Sequence, residues 1–202
     1  EPISEQEIDA AKNAVKKTTE AVEASNNEEQ YYSESIELEW NEDRAKAWHK
    51  MQPPSKPSIS ELNIYEKYFR EKINECSSPS VLILGSTVEF RQLAFSLGFN
   101  VTVVDYSSTY HDSISKDLGD HKDEILRKEK FICCDWTKIL SNEKLEEESF
   151  DIIIGDLAIG NVIYKNIGSF FAIFSKLLKK GGYFLGKSIY TYTDYRTDKT
   201  KI

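Results

Sequence analysis

Glycine is missing where it is most expected. "VLILGSTVEF" (81–90) is an apolar run that reaches Gly85 and then turns polar, as a buried strand does on entering a ligand-binding loop. In dinucleotide enzymes such a loop carries two further glycines. One lets the backbone approach a pyrophosphate, and the other allows close helix–strand packing. Here Ser86, Thr87 and Glu89 follow Gly85 instead. A carboxylate at a helix start repels a doubly negative pyrophosphate, so a nicotinamide or flavin cofactor is disfavoured. Cysteine is also scarce. Cys76, Cys133 and Cys134 are an odd set with an adjacent pair, which excludes a disulfide framework and points to a reducing, cytoplasmic setting. His49, His111 and His121 are scattered, and no Cys-x-x-Cys or His-x-His spacing occurs, so no metal site is expected. No run approaches the roughly 18 apolar residues of a membrane span. The acidic start has no apolar h-region, so no signal peptide is expected, and without an initial Met the chain reads as processed or as a fragment.

Basic charge is lacking as well. The net charge is -8, and residues 1–50 hold 13 of the 34 acids against 6 of the 26 bases, a balance of -7. The remaining 21 acids and 20 bases leave -1. A body this close to neutral has no footprint for a duplex backbone, which disfavours nucleic acid and favours a small-molecule substrate.

What is present divides the chain in two. Over 4–25, a Ser4-x-x-Glu7 capping box precedes Ile8, Val15 and Val22 at seven-residue spacing. This spacing predicts a helix with one thin apolar stripe. The stripe fits packing on its own domain, a homo-oligomer or a protein partner. "SNNEEQYYSES" (25–35) reads as a linker, and "WHKMQPPSKPS" (48–58) as a stiff extended crossing. Residues 1–57 are thus expected to form a helical arm with a proline-rich crossing, and 58–202 the core. A second capping box, Ser58-x-x-Glu61, opens a helix with Leu62, Tyr65, Phe69 and Ile73 on one face, ending near Cys76.

From residue 80, β-branched runs alternate with segments of helical length. The runs are "VLILG" (81–85), "VTVVD" (101–105), "FICCD" (131–135), "FDIIIGD" (150–156) and "GYFLGKS" (182–188). This rhythm specifies an α/β, Rossmann-like, doubly wound and mostly parallel sheet. Lys179, Lys180 and Gly181-Gly182 read as the basic last turn and glycine stop of the final helix. Ligands of such sheets bind beyond the carboxyl ends of the strands, which here read Gly85, Asp105, Asp135 and Gly155-Asp156. Asp105 lies 20 residues after Gly85, the separation at which an acid accepts both hydroxyls of an adenosine ribose. Asp135-Trp136 offers a carboxylate and an aromatic wall to an adenine. Each acid also makes sense as a helix cap. S-adenosylmethionine has the adenosine, has no phosphate, and carries a sulfonium and an ammonium. It needs one glycine and welcomes a carboxylate.

With Trp48, "PPSKPS" (53–58), "LGSTVE" (84–89), "VDYS" (104–107), "DW" (135–136), "GD" (155–156) and "LLKKGGYF" (177–184) in that order, the chain resembles the class I S-adenosylmethionine-dependent methyltransferases, in particular a bacterial branch. The likeness covers roughly residues 45–190. It implies that Gly85, Ser86 and Thr87 wrap the methionine moiety, that Asp105 and Tyr106 take the ribose and its surroundings, and that Asp135 and Trp136 take the adenine. It also implies that Gly155 and Asp156 belong to the cofactor site, with Asp156 facing the transferred methyl group as the catalytic candidate. The acid usual two residues before the loop glycine is Ile83 here, so Glu89, then Asp156, is the candidate for the methionine ammonium. His49 and Tyr164 are further candidate bases with dull alternatives. Only 14 residues follow Ser188, too few for the family's antiparallel edge hairpin, so a truncated chain or a reduced sheet is expected. The function expected is methyl transfer to an unidentified acceptor. The alternative is a non-catalytic S-adenosylmethionine-binding module that recruits a partner through its acidic arm. The segment 48–58 is expected across the cofactor mouth.

Overall fold

The computed structural model describes residues 42–141, 145–162 and 164–188. The expected helix over 4–25 and the linker over 25–35 lie outside the described residues. The described residues belong to a compact unit that starts at Glu42.

In chain order the unit contains α1 (Glu42–Lys46), α2 (Ile59–Glu75), β1 (Ser80–Leu84), α3 (Val88–Ser96), β2 (Asn100–Asp105) and α4 (Ser108–Ile114). α5 (Lys122–Lys128), β3 (Lys130–Cys133), β4 (Phe150–Asp156), α6 (Ile167–Leu177) and β5 (Leu178–Lys187) complete it. The five strands form one sheet in the order β3-β2-β1-β4-β5, and every pair is parallel. The chain moves outward from β1 to β3 and then returns to place β4 on the other side of β1. That reversal opens a crevice above β1, where open sheets of this kind bind ligands.

Strand residues alternate between two cores. Val81, Ile83, Val101, Val103, Ile152 and Ile154 pack under Tyr65 and Phe69 of α2 and Phe90 and Ala94 of α3. Leu82, Leu84, Val104, Ile132 and Ile153 pack under Phe170, Phe174 and Leu177 of α6. Two covered faces explain why apolar residues follow one another without period-2 alternation, Val81–Leu84 in β1 and Ile152–Ile154 in β4. The capping box at Ser58 forms as expected: Glu61 N donates to Ser58 Oγ at 3.2 Å, and Ser58 N donates to Glu61 Oε2 at 2.7 Å.

One expectation is corrected at the last helix. α6 ends at Leu177, and Leu178 is already extended and paired with Phe150 in β5. Lys179 and Lys180 therefore belong to the strand and are not a helical last turn. The pairing resumes at Ile152↔Tyr183, so the strand bulges over 179–182, with Gly181 at φ +79. Lys179 is used there to hold Asp151 at 2.7 Å, a contact no helix end would provide. A buried carboxylate on β4 outweighs the local helix-stop signal.

Candidate functional site

Strand register lines up the carboxyl ends. Leu84 lies opposite Val104, Asp105 opposite Cys133, and Asp156 opposite Lys187. Gly85 therefore turns off β1 beside the end of β2, and its N–H donates to Val104 O at 2.8 Å. Its φ of +84 explains the glycine, because a side chain is disfavoured there. A Cβ at Gly85 would meet only Trp136, at an ordinary 3.7 Å. Trp136 lies over this turn and donates its indole N–H to Val104 O at 3.1 Å.

Gly155 has a different physical reason. A Cβ on it would come within 2.7 Å of the Ala158 Cβ and 3.0 Å of the Leu84 Cβ. The glycine lets the chain after β4 fold back on β1. Gly155→Ala is expected to cost about 1–3 kcal/mol of stability through overpacking, read from the midpoint of chemical denaturation. Gly168→Ala serves as the control, because a Cβ there meets nothing within 4 Å. Equal midpoints for the two variants would remove the packing argument.

The expected site residues fall into two groups. The first surrounds Asp105, which is 6% exposed at the end of β2. Its Oδ2 accepts from Ser86 Oγ at 2.6 Å, and its Oδ1 accepts from Ser107 N at 3.3 Å. Burial raises the Asp105 carboxyl above its ordinary range, against hydrogen bonds from Ser86 and Ser107 and the charge of His111, which lower it. Ser86 also touches His111 Nδ1 at 3.0 Å. Thr87 is buried at the N-cap of α3 and makes no side-chain cap bond. Tyr106 is half-buried, and its carbonyl accepts from Cys133 Sγ at 3.3 Å.

The second group surrounds Asp156 at the end of β4. Its side chain is only 4% exposed, and Lys187 Nζ lies 3.2 Å from Oδ1 as an ion pair without hydrogen-bond geometry. Burial raises the Asp156 carboxyl, Lys187 lowers it in part, and Glu61 and Glu89 raise it further. Tyr65 beneath them is pushed up to about 12 by burial and by the charges of Asp156 and Glu61. Glu89 turns Oε1 toward Lys56 Nζ at 3.6 Å, while its Oε2 is buried without a hydrogen-bond partner. Lys187 also contacts Glu61 Oε1 at 3.3 Å and Lys56 O at 3.4 Å. The chain turns sharply after Asp156, with Leu157 in the left-handed region at φ +55. Strain of this kind costs about 1–3 kcal/mol and tends to collect at functional edges.

Asp135 stands apart from both groups. β3 ends at Cys133, and Asp135 Oδ1 accepts from Thr137 N and Thr137 Oγ1, each at 2.8 Å, as the cap of the turn at 136–141. His49 is exposed on the turn at 48–50. The side chain of Tyr164 lies outside the described residues. Three residues that sequence reasoning passed over join the site: Lys187, Glu61 and His111. Lys187 had a faint signal, since the fifth strand also ends at the functional edge. Glu61 was read only as a capping residue, and His111 had no spacing to flag it. Among the described residues, no group of three or more His, Cys, Asp or Glu side chains is placed to hold a metal ion. Nor is any described helix long and apolar enough to cross a membrane.

The family model described as "Methyltransferase domain" matches residues 84–186, from the end of β1 to the end of β5. The chain belongs to the methyltransferase-domain family. Its fold is that of the class I enzymes. The DszA carbon methyltransferase shares 14% identity over 66% of this chain and 37% of its own, with a TM-score of 0.52, a likeness of fold. The PH0226 protein of Pyrococcus horikoshii OT3 is similar over 68% of this chain, with 20% identity and a TM-score of 0.47. The glycopeptide N-methyltransferase MtfA, solved with (S)-adenosyl-L-methionine, is similar over 59% of this chain, with 19% identity and a TM-score of 0.45. The chain spans 64% of the length of the Pyrococcus protein and 48% of that of MtfA. No curated protein matches its sequence.

Proposed function

We propose that this chain binds S-adenosylmethionine over the ends of β1 and β2 and transfers its methyl group to an acceptor held near Asp156. The observation that carries the reading is the buried Asp105 carboxylate beside a one-glycine turn whose next acid, Glu89, keeps a buried oxygen unpaired. A diol-binding acid and a carboxylate with one buried oxygen still unpaired suit a ligand that is a nucleoside at one end and a cation at the other. Gly85, Ser86 and Thr87 line the turn for the methionine moiety, and Asp105 and Tyr106 flank the ribose. Trp136 covers the turn, with Asp135 behind it toward the adenine. Gly155 brings β4 close enough to β1 for Asp156 to share the crevice.

S-adenosylmethionine, when bound, supplies an electrophilic methyl group on a sulfonium. The protein's share is alignment and water exclusion, which carry most of such a displacement. A carboxyl raised by burial is a better proton acceptor than an exposed one, so Asp156 takes the proton from an acceptor nucleophile that must lose it. Lys187 holds that carboxylate in place. The core begins at Ser58, and the segment 48–58 serves as a strap across the cofactor mouth. Lys56 ties this strap to Glu89 by its side chain and to Lys187 by its carbonyl. A small-molecule acceptor is favoured by the charge balance, which has no basic excess.

Calorimetry with S-adenosylmethionine, S-adenosylhomocysteine and NAD(H) tests the reading. Binding of the first two and not the third is expected. Preference for NAD(H) would overturn it. Within the same assay, Glu89→Gln is expected to weaken S-adenosylhomocysteine about tenfold, the loss of one charged pairing, and to leave methylthioadenosine nearly unchanged. Equal losses for both ligands would make Glu89 a helix-start residue only.

A further inference from the structure

Behind Asp105 runs a chain of buried polar groups of which the proposed function uses only Ser86. Ser86 Oγ donates to Asp105 Oδ2 at 2.6 Å and lies 3.0 Å from His111 Nδ1. His111 Nε2 lies 3.5 Å from Glu129 Oε1. Glu129 in turn is gripped by Arg91 through Nε, at 3.0 Å, and through Nη2. Arg91 Nη1 donates to Ser115 Oγ at 2.9 Å, and Ser115 Oγ donates to His111 O at 2.6 Å. The side chains of Arg91, Glu129 and His111 are no more than 4% exposed. The imidazole also stacks on Phe131 of β3, with centroids 3.8 Å apart.

Two features assign the protons. Ser86 has a single hydroxyl proton and spends it on Asp105, so its oxygen accepts from an N–H at Nδ1. A carboxylate facing Nε2 can only accept, so Nε2 also carries a hydrogen. The charge count agrees. Asp105 and Glu129 against Arg91 leave one net negative charge buried, and burying an unbalanced charge is costly. An imidazolium brings the set to zero. Outside this set, α1 packs on α4 and brings Arg44, whose charge acts on Tyr110 together with those of Asp105, Glu89 and Asp117, while Asp112 and Asp117 are exposed.

We propose that His111, as a doubly protonated ring acting through Ser86, is the positioning residue that keeps Asp105 ionised and aimed at its ligand. With no N–H at Nδ1, Ser86 would turn its hydroxyl to the imidazole. The Asp105 oxygen would then face a lone pair at 2.6 Å, and the carboxylate would lose its donor. Ligand affinity therefore depends on His111 and Ser86 together.

This inference rests on the proposed cofactor site only for its ligand readout, so the experiment has two arms. The first is 15N NMR of the histidine ring in the ligand-free full chain at pH 7. Both His111 nitrogens are expected to be protonated, and a ring with a single proton overturns the proposal. The second is calorimetry of S-adenosylhomocysteine at pH 7 with the parent, His111→Gln, Ser86→Ala and the double variant. A weakening of about tenfold in each single variant, with no further loss in the double, is expected. Undiminished affinity in Ser86→Ala overturns the relay, even if His111→Gln does not fold. Absence of binding by the parent fails the cofactor reading and leaves the NMR arm to decide His111.

Discussion

Arg91→Ala is expected to lower the free energy of unfolding by about 3–5 kcal/mol at pH 7, which is what leaving one partner of a buried ion pair alone costs. Arg91 is 0% exposed on α3 and holds Glu129 in front of β3 as well as Ser115. Burial pushes the Glu129 carboxyl up, but hydrogen bonds and charge from His111 and Arg91 outweigh it, so it sits below its ordinary 4.5. A carboxyl lowered by folding contributes stability above that ordinary value and loses it as pH falls through the lowered one. The variant lacks most of this contribution, so its deficit should narrow as the medium is acidified below about 4.5. Urea denaturation at pH 7 and pH 4 measures both effects. A deficit under 1 kcal/mol at pH 7, or one that widens in acid, would contradict the assignment. Arg91→Met with Glu129→Leu should recover part of the loss, because the carboxylate stranded by the single variant is removed, although His111 Nε2 then loses its acceptor.

Asp105→Ala is expected to weaken S-adenosylhomocysteine by about 1.5–3 kcal/mol, roughly 10–150-fold, because a ribose diol loses its charged acceptor. The effect is expected in affinity while circular dichroism stays native, since Asp105 sits at a strand end and its backbone pairing with Cys133 remains. In the parent, affinity should fall as pH drops toward the raised value of this carboxyl, somewhere above the ordinary 3.8. Undiminished affinity in Asp105→Ala would move the nucleoside away from β2. Calorimetry of the two proteins side by side decides it.

Much of this arrangement is legible in the chain itself. The five runs after residue 80 become five parallel strands because strands lying between two helical layers are dominated by consecutive apolar residues, and such runs are conspicuous in sequence. Ser58-x-x-Glu61 becomes a helix start because capping chemistry is local. Gly85 becomes a left-handed turn because so few other residues tolerate one. Asp105 and Asp156 reach the same edge because parallel strands that all begin on one side must end on the other. These are consequences of short-range geometry and hydrophobic burial.

Other features were decided only when distant segments met. The extension of β5 back to Leu178 follows from Lys179 meeting Asp151, 28 residues earlier, and overrides a plausible helix stop. Lys187 neutralises Asp156 because β5 lies beside β4, a neighbour relation that no spacing in the chain encodes. Glu61 caps its helix and also reaches Lys187, 126 residues away, which local chemistry cannot foresee. The Asp105–Ser86–His111–Glu129–Arg91 chain draws on two loops, two helices and a strand end, each residue unremarkable where it stands in sequence. Patterning by apolar residues is periodic and survives as a one-dimensional signal. Balance among buried charges is a sum over neighbours in space, so it came into being only with the packed structure.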